Sequence, residues 1–122
     1  MAMQKTLLKE VSHSGIALHT GSFTTISFKP APANSGIVFV RKDLPNSKPV
    51  RASVENVIAT VRGTSLGVGE AIVHTVEHVL AALAGFDVDN ALIEIDAAEP
   101  PVGDGSSIMF MLKQLGVPVI LG

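Results

Sequence analysis

The residues with the clearest chemical potential form the sequence His74-Thr75-Val76-Glu77-His78, in which a carboxylate and an imidazole are neighbours and an apolar run follows. A neutral imidazole can hold Zn²⁺, and a carboxylate beside it can take a proton from water, which is the chemistry of a metal hydrolase. A catalytic zinc normally has three protein ligands. Because the chain has no cysteine, any further ligands must be His, Asp or Glu.

Two interpretations of this motif compete with that one. The spacing His74-x-x-Glu77-His78 matches the inverted zincin pattern, in which two histidines one helical turn apart bind zinc. Both ligands must then lie within one helix, whereas Thr75 is a suitable N-cap and places His74 at or before the helix start. A Glu-His pair in a first helical turn is also common as a solvated structural cap, favoured by the helix dipole.

The other polar candidates are weaker. His13 and His19 are single histidines in predicted loops, where a hydrogen-bonded structural role is typical. Asp104 lies between glycines before a predicted helix, a pattern typical of a carboxylate that anchors a turn. The serines do not form a nucleophile elbow, and the glycine-bearing segments match neither the Walker nor the dinucleotide-binding pattern.

Hydrophobic periodicity predicts an α+β fold, a two-layer sandwich in which two main helices cover one face of a mixed or antiparallel sheet. One helix follows the Thr75 cap and runs to Gly85, and the other runs from Ser106 or Ser107 to Leu115. The predicted strands are Thr6–Val11, Phe23–Phe28, Gly36–Arg41, Val50–Val57, Ala71–Val73 and Ala91–Ile95. Turns are predicted at 12–15 and 30–36 from their serine, glycine and proline content.

Composition narrows the class of protein. Apolar residues make up 47% of 122 residues, which predicts a single folded domain over residues 1–122. The net charge of −2 lacks the basic field of an electrostatic nucleic-acid binder, so nucleic acid is not expected as a partner. No secretory signal or spanning stretch is predicted, so a soluble cytoplasmic protein is expected. The apolar tail 117–122 suggests that further chain or a partner surface covers it.

Several segments, in order, resemble the N-terminal domain of one family, the zinc-dependent UDP-3-O-acyl-N-acetylglucosamine deacetylases of lipid A biosynthesis. The resemblance extends from about Gln4 to Leu115. Because four motifs occur in the same order, it is more specific than any one of them. The motifs are Ser14-Gly15-Ile16-Ala17-Leu18-His19-Thr20-Gly21, Lys29-Pro30-Ala31-Pro32-Ala33-Asn34-Ser35-Gly36-Ile37, Thr75-Val76-Glu77-His78-Val79-Leu80-Ala81-Ala82-Leu83-Ala84-Gly85 and Asp104-Gly105-Ser106.

The resemblance implies a role for each matching residue. By position, His78 is similar to the zinc ligand of the first domain and Glu77 to the general base that activates water. Leu18 and His19 fall in the loop that lies near the substrate in the family. The implied reaction removes the acetyl group from the nitrogen of UDP-3-O-(3-hydroxyacyl)-N-acetylglucosamine. The resemblance does not make His74 a ligand.

Two differences from the family pattern concern shape. Val61 and Gly103 stand where many relatives have methionine, which affects the expected acyl-passage lining and the turn before Asp104. A third difference is larger. The family's second domain supplies a histidine and an aspartate as zinc ligands, and no histidine follows His78 here. The 122-residue chain is therefore expected to be incomplete and inactive alone. The alternatives are a non-catalytic binding module on the same fold and an inverted zincin peptidase fragment.

Overall fold

A computed structural model describes residues 4–17, 20–46, 48–60, 63–101 and 119–121. These ranges hold ten strands, one short 3-10 helix (Val54–Asn56) and one α-helix, α1 (Glu77–Gly85). None of the helices in these ranges is long and apolar enough to cross a membrane. The strands, in chain order, are β1 (Gln4–Thr6), β2 (Val11–Ile16), β3 (Phe23–Pro30), β4 (Ile37–Arg41), β5 (Val50–Arg51), β6 (Val57–Thr60), β7 (Gly63–Val68), β8 (Ala71–Val73), β9 (Ala91–Ile95) and β10 (Val119–Leu121).

The main sheet is mixed and has five strands in the order β2-β3-β9-β4-β5. β9 lies at its centre, antiparallel to β3 and parallel to β4. The predicted strands Gly36–Arg41 and Ala91–Ile95 are confirmed, the first beginning one residue later at Ile37, and both lie inside the sheet with a neighbour on each side. A three-stranded antiparallel sheet, β6-β7-β8, and a two-stranded pair, β1-β10, complete the strand pairing of the described ranges.

The hydrophobic core lies between the main sheet and helix α1. Alternate residues of β9, Ala91, Ile93 and Ile95, are fully buried on one face, as the period-two pattern predicts. Val79 and Leu83 of α1 belong to the same buried cluster. An α+β fold is thus confirmed. The second predicted helix, from Ser106 to Leu115, lies outside the described residues.

The predicted turn at 12–15 is wrong, because Ser12 to Gly15 lie within strand β2. Their hydroxyl groups are used across the sheet rather than in a turn: Ser12 Oγ and Ser27 Oγ are 2.7 Å apart, and Ser14 Oγ and Thr25 Oγ1 are 2.8 Å apart. Such cross-strand hydroxyl pairs stabilise an antiparallel ladder. His13 is therefore a strand residue, not a loop residue as predicted.

Two predicted strands differ in their bounds. The segment predicted as a strand over 6–11 is split, because β1 ends at Thr6 and β2 begins at Val11. The segment predicted over 50–57 holds only the two-residue β5 before the 3-10 helix. Ala71–Val73 is confirmed as β8. It is the strand that leads into the helix carrying Glu77 and His78.

Replacing Phe39 by alanine tests the position of the core. Phe39 lies on β4 with no exposed surface, so Phe39→Ala is expected to lower the free energy of unfolding by about 3–5 kcal/mol. Phe23 on β3 is the matched control, because its side chain is 70% exposed and Phe23→Ala should cost less than about 1 kcal/mol. Urea denaturation measures both. Equal losses would contradict the described core.

Candidate active site

Helix α1 begins at Glu77, after a sharp reversal of the chain. Strand β8 ends at Val73, and Thr75 then has a φ of +54°, in the left-handed region that β-branched residues rarely adopt. Val76 is the N-cap residue and provides no side-chain hydrogen bond. The prediction that Thr75 caps the helix is wrong, because the Thr75 hydroxyl donates instead to Glu99 Oε2 at 2.7 Å.

Glu77 is half-buried in the first turn of α1. Its Oε2 accepts a long hydrogen bond from the Thr64 N–H at 3.3 Å. Its Oε1 is buried and has no hydrogen-bond partner in the part of the chain that the structure describes. A buried carboxylate oxygen without a partner is costly, and in native proteins it often marks a place where water, an ion or a ligand completes the site.

His78 follows in the same first turn and is also half-buried. Within the described ranges its ring takes part in no hydrogen bond or ion pair. A carboxylate and an imidazole in one helical turn are the types of group that metal hydrolysis uses, the imidazole as a ligand and the carboxylate as a base.

His74 lies outside the helix, three residues before its first residue. Its ring Nδ1 is hydrogen-bonded to the buried Ser65 hydroxyl at 2.8 Å, and its backbone N–H donates to the Ala98 carbonyl at 2.7 Å. His74 and His78 therefore do not form a pair one turn apart on a single helix. This geometry does not support the two-histidine inverted zincin interpretation.

Several predicted site residues lie outside the described ranges. These are Leu18 and His19, predicted near the substrate, together with Val61, Gly103 and Asp104. Within the ranges that are described, no three His, Asp or Glu side chains lie close enough together to hold a metal ion. Of the predicted site residues, the described ranges include Glu77 and His78, which lie side by side in the first turn of α1.

Glu99 is a buried residue of this region that the sequence did not identify. The side chain is 1% exposed, and within the described ranges it accepts two hydrogen bonds. One comes from the Thr75 hydroxyl, and the other from the Thr20 N–H at 2.9 Å. The sequence feature that could have identified Glu99 is its place after an alternating strand and directly before two prolines.

The strand before the site is held by an ion pair at the end of β4, between Arg41, its last residue, and Asp43 in the turn that follows. Arg41 contacts the Asp43 carboxylate through two hydrogen bonds, of 2.8 and 2.6 Å, while its Nη1 donates to the Ile72 carbonyl on β8 at 2.9 Å. The hydrogen bonds from Arg41 lower the pKa of the Asp43 carboxyl below its usual value. The pair thus fixes an arginine that in turn holds the strand leading to His74.

Comparison with known proteins gives a consistent result. The family model of UDP-3-O-acyl N-acetylglycosamine deacetylase matches residues 4–118. The chain is 54% identical over 104 residues to UDP-3-O-acyl-N-acetylglucosamine deacetylase of Trichormus variabilis, covering 85% of this chain and 37% of that protein. It is 51% identical over 107 residues to a bifunctional LpxC/FabZ enzyme of Chlorobaculum tepidum, covering 88% of this chain and 23% of that protein.

A more distant relative matches nearly the whole chain. The deacetylase of Bdellovibrio bacteriovorus is 40% identical over 120 residues, covering 98% of this chain and 40% of that protein. Across these three relatives, the chain spans between 23% and 40% of their length.

The Arg41–Asp43 pair predicts a specific acid dependence of stability. Since the folded-state pKa of Asp43 is below the usual 3.8, the stabilisation is present above pH 3.8 and is lost as the pH falls through the folded value. Asp43→Asn should lower the free energy of unfolding by about 1 kcal/mol at pH 6. The difference from the unmodified chain should shrink progressively as the pH falls below 3.8.

The matched control for this prediction is Asp87→Asn. Asp87 is 4.0 Å from Lys5 and its side chain is 79% exposed, so its replacement should leave stability unchanged at both pH values. Asparagine also tolerates the positive φ at this position. Denaturant unfolding at pH 6 and pH 2 measures both variants. A loss for Asp43→Asn that is the same at both pH values would contradict the role of its charge.

Proposed function

The chain belongs to the UDP-3-O-acyl N-acetylglycosamine deacetylase family, and on that premise we propose that it is the N-terminal half of a zinc-dependent deacetylase. The proposed substrate is UDP-3-O-(3-hydroxyacyl)-N-acetylglucosamine, from which the N-acetyl group is hydrolysed in lipid A biosynthesis. A cytoplasmic location is part of the proposal and is supported by family resemblance alone.

The observation that carries the proposal is the state of Glu77 and His78. Glu77 Oε1 is buried without a partner, and the neighbouring His78 ring has no bond within the described ranges. In a purely structural cap, these groups would bond to the backbone of the first helical turn, and here no such side-chain cap exists. A solvated cap therefore explains the pair less well than a site that takes up further groups.

Among the described residues of this turn, the chemistry of His78 is compatible with zinc binding. His78 would hold the ion through a neutral imidazole nitrogen. Bound zinc would polarise the amide carbonyl and lower the pKa of the attacking water. Since a catalytic zinc normally takes three protein ligands, we propose that the remaining ligands come from a second domain, as the resemblance implies. The chain itself is then one of two similar domains.

Glu77 would act as the general base. It would take a proton from the water that attacks the amide carbon, and as the C–N bond breaks a proton passes to the departing nitrogen, giving acetate and the free amine. Glu77 Oε1, which has no hydrogen-bond partner in the described ranges, would be the oxygen that receives the proton from water. Leu18 and His19 would contact the substrate. The resemblance alone supports this assignment.

Zinc binding by residues 1–122 separates this proposal from the inverted zincin alternative. With one ligand, the chain is expected to retain clearly less than one equivalent of zinc after dialysis and to show no deacetylation. His78→Ala should lower the retained zinc further, whereas His74→Ala should leave it unchanged. Atomic absorption of dialysed protein measures the metal content. The proposal would be contradicted if the chain bound one equivalent of zinc tightly and showed full deacetylation. Equal losses of zinc in His74→Ala and His78→Ala would also contradict it.

The role of Glu77 can be tested in a chimera, in which this chain replaces the matching 104-residue segment of the Trichormus variabilis relative. Glu77→Ala is expected to lower kcat/KM for N-acetyl hydrolysis by about 10²–10⁴-fold at unchanged zinc content, the usual contribution of a general base. Glu70, an exposed glutamate in the turn before β8, is the matched control, and Glu70→Ala should retain activity. A non-catalytic binding module would be indifferent to both changes.

A further inference from the structure

Glu99 occupies an unusual position for a carboxylate. It is 1% exposed, and burial of this kind is tolerated only where hydrogen bonds replace the lost water. Each of its two oxygens accepts a bond from a different part of the chain, Oε1 from the Thr20 N–H and Oε2 from the Thr75 hydroxyl. The two partners are 79 and 24 residues away in sequence.

These two partners adjoin the segments assigned to the proposed site. Thr20 directly follows Leu18 and His19 in sequence, and around it the Ala17 N–H donates to the Ser22 carbonyl and the Gly21 N–H to the Ala17 carbonyl. Thr75 precedes Glu77 by two residues. One buried carboxylate therefore holds the chain beside the proposed substrate loop and the chain before the proposed base and ligand.

The contact at Thr75 controls where helix α1 begins. A threonine with a φ of +54° is disfavoured on its own and persists only when its surroundings hold it. The neighbouring bonds of His74 N–H to Ala98 and of Val76 N–H to Thr64 hold the chain on both sides. The hydroxyl bond to Glu99 fixes Thr75 itself, and so sets the direction in which Glu77 and His78 leave the strand.

The turn that carries Glu99 is itself fixed. The carbonyl of Pro101 lies 3.2 Å from where a Cβ would stand on Gly15 of β2, so the turn packs directly against the sheet backbone. Pro100 and Pro101 are both buried. A carboxylate on a buried turn between two prolines and the sheet has little freedom to follow its partners. Thr20 and Thr75 must therefore lie where they can reach the Glu99 carboxyl group.

We infer that Glu99 is a positioning residue, which sets the relative placement of the Thr20 loop and of the Glu77-His78 turn by bonding both Thr20 and Thr75. Glu99 does not contact substrate or metal in this scheme. The inference rests on the proposed function for its meaning in catalysis, whereas the coupling between Thr20 and the start of α1 is a property of the chain alone.

Nuclear magnetic resonance of the 122-residue chain tests the coupling. Thr75→Val keeps the β-branched shape and removes the hydroxyl that bonds Glu99, so the Thr20 amide should shift and exchange with solvent at least about tenfold faster. Glu99→Ala should do the same and also move the His78 ring signals. If the Thr20 amide and the His78 ring are unmoved in folded variants, the inference is overturned.

Conservative variants and a control make the result specific. Glu99→Gln can still accept from the Thr20 N–H and donate to the Thr75 oxygen, and Thr75→Ser keeps the hydroxyl, so both should restore most of the protection. Glu94→Ala removes another carboxylate, one that pairs with Lys29 at 2.7 Å, and should leave Thr20 and His78 unchanged. If Glu99→Ala does not fold, Thr75→Val and Thr75→Ser decide the question by themselves.

Kinetics of the chimera test the consequence for catalysis. Thr75→Val and Glu99→Ala are expected to lower kcat by about 10- to 100-fold, the scale of a misplaced catalytic group, with KM and zinc content little changed. Glu99→Gln and Thr75→Ser should recover most of this loss. Full kcat in the folded disruptive variants would overturn the inference. An inactive unmodified chimera would instead count against the proposed function, and the resonance measurements would still decide the positioning role.

Discussion

The buried carboxylate of Glu99 is the interaction on which the arrangement around α1 depends. A carboxyl group removed from water is tolerated only when it is hydrogen-bonded, so the fold must deliver partners to one place. Two of these partners are Thr20 and Thr75, which lie on opposite sides of β3 and β4 in sequence. The loop after β2, the exit from β8 and the turn after β9 therefore have to close together.

The same region departs from local rules in two further ways. Thr75 adopts a conformation that is disfavoured for a β-branched residue, at a cost of about 1–3 kcal/mol. Glu77 Oε1 is buried without a partner in the described ranges. Departures of this kind concentrate where a protein has been shaped for chemistry rather than for stability. The rest of the core, with fully buried Phe28, Phe39 and Ile93, follows the ordinary packing rules and supplies the stability that the site lacks.

Sequence patterns predict the elements that are dominated by burial and fail where side chains bond to one another. Strand β9 is predicted to the residue, because the buried Ala91, Ile93 and Ile95 alternate with the partly exposed Leu92 and Glu94. The serines of β2 were interpreted as turn residues, since their bonds to Ser27 and Thr25 depend on a partner strand that local propensity does not include. Likewise, the sequence predicts Thr75 as an N-cap, whereas its hydroxyl donates to Glu99, 24 residues away. Glu77 and His78 themselves were found by residue type and by resemblance.

The adjacency of Glu77 and His78 explains why one residue suits the role of base and the other that of ligand. Successive residues on an α-helix point about 100° apart, so neighbouring side chains do not face each other as those at i and i+4 do. A carboxylate and an imidazole at i and i+1 therefore approach a shared space from different directions. On the proposed function, His78 can then hold an ion while Glu77, tied at one oxygen to the Thr64 N–H, keeps its other oxygen for the proton. With the positioning role inferred for Glu99, this proposed division of roles also depends on a residue that takes no direct part in the chemistry.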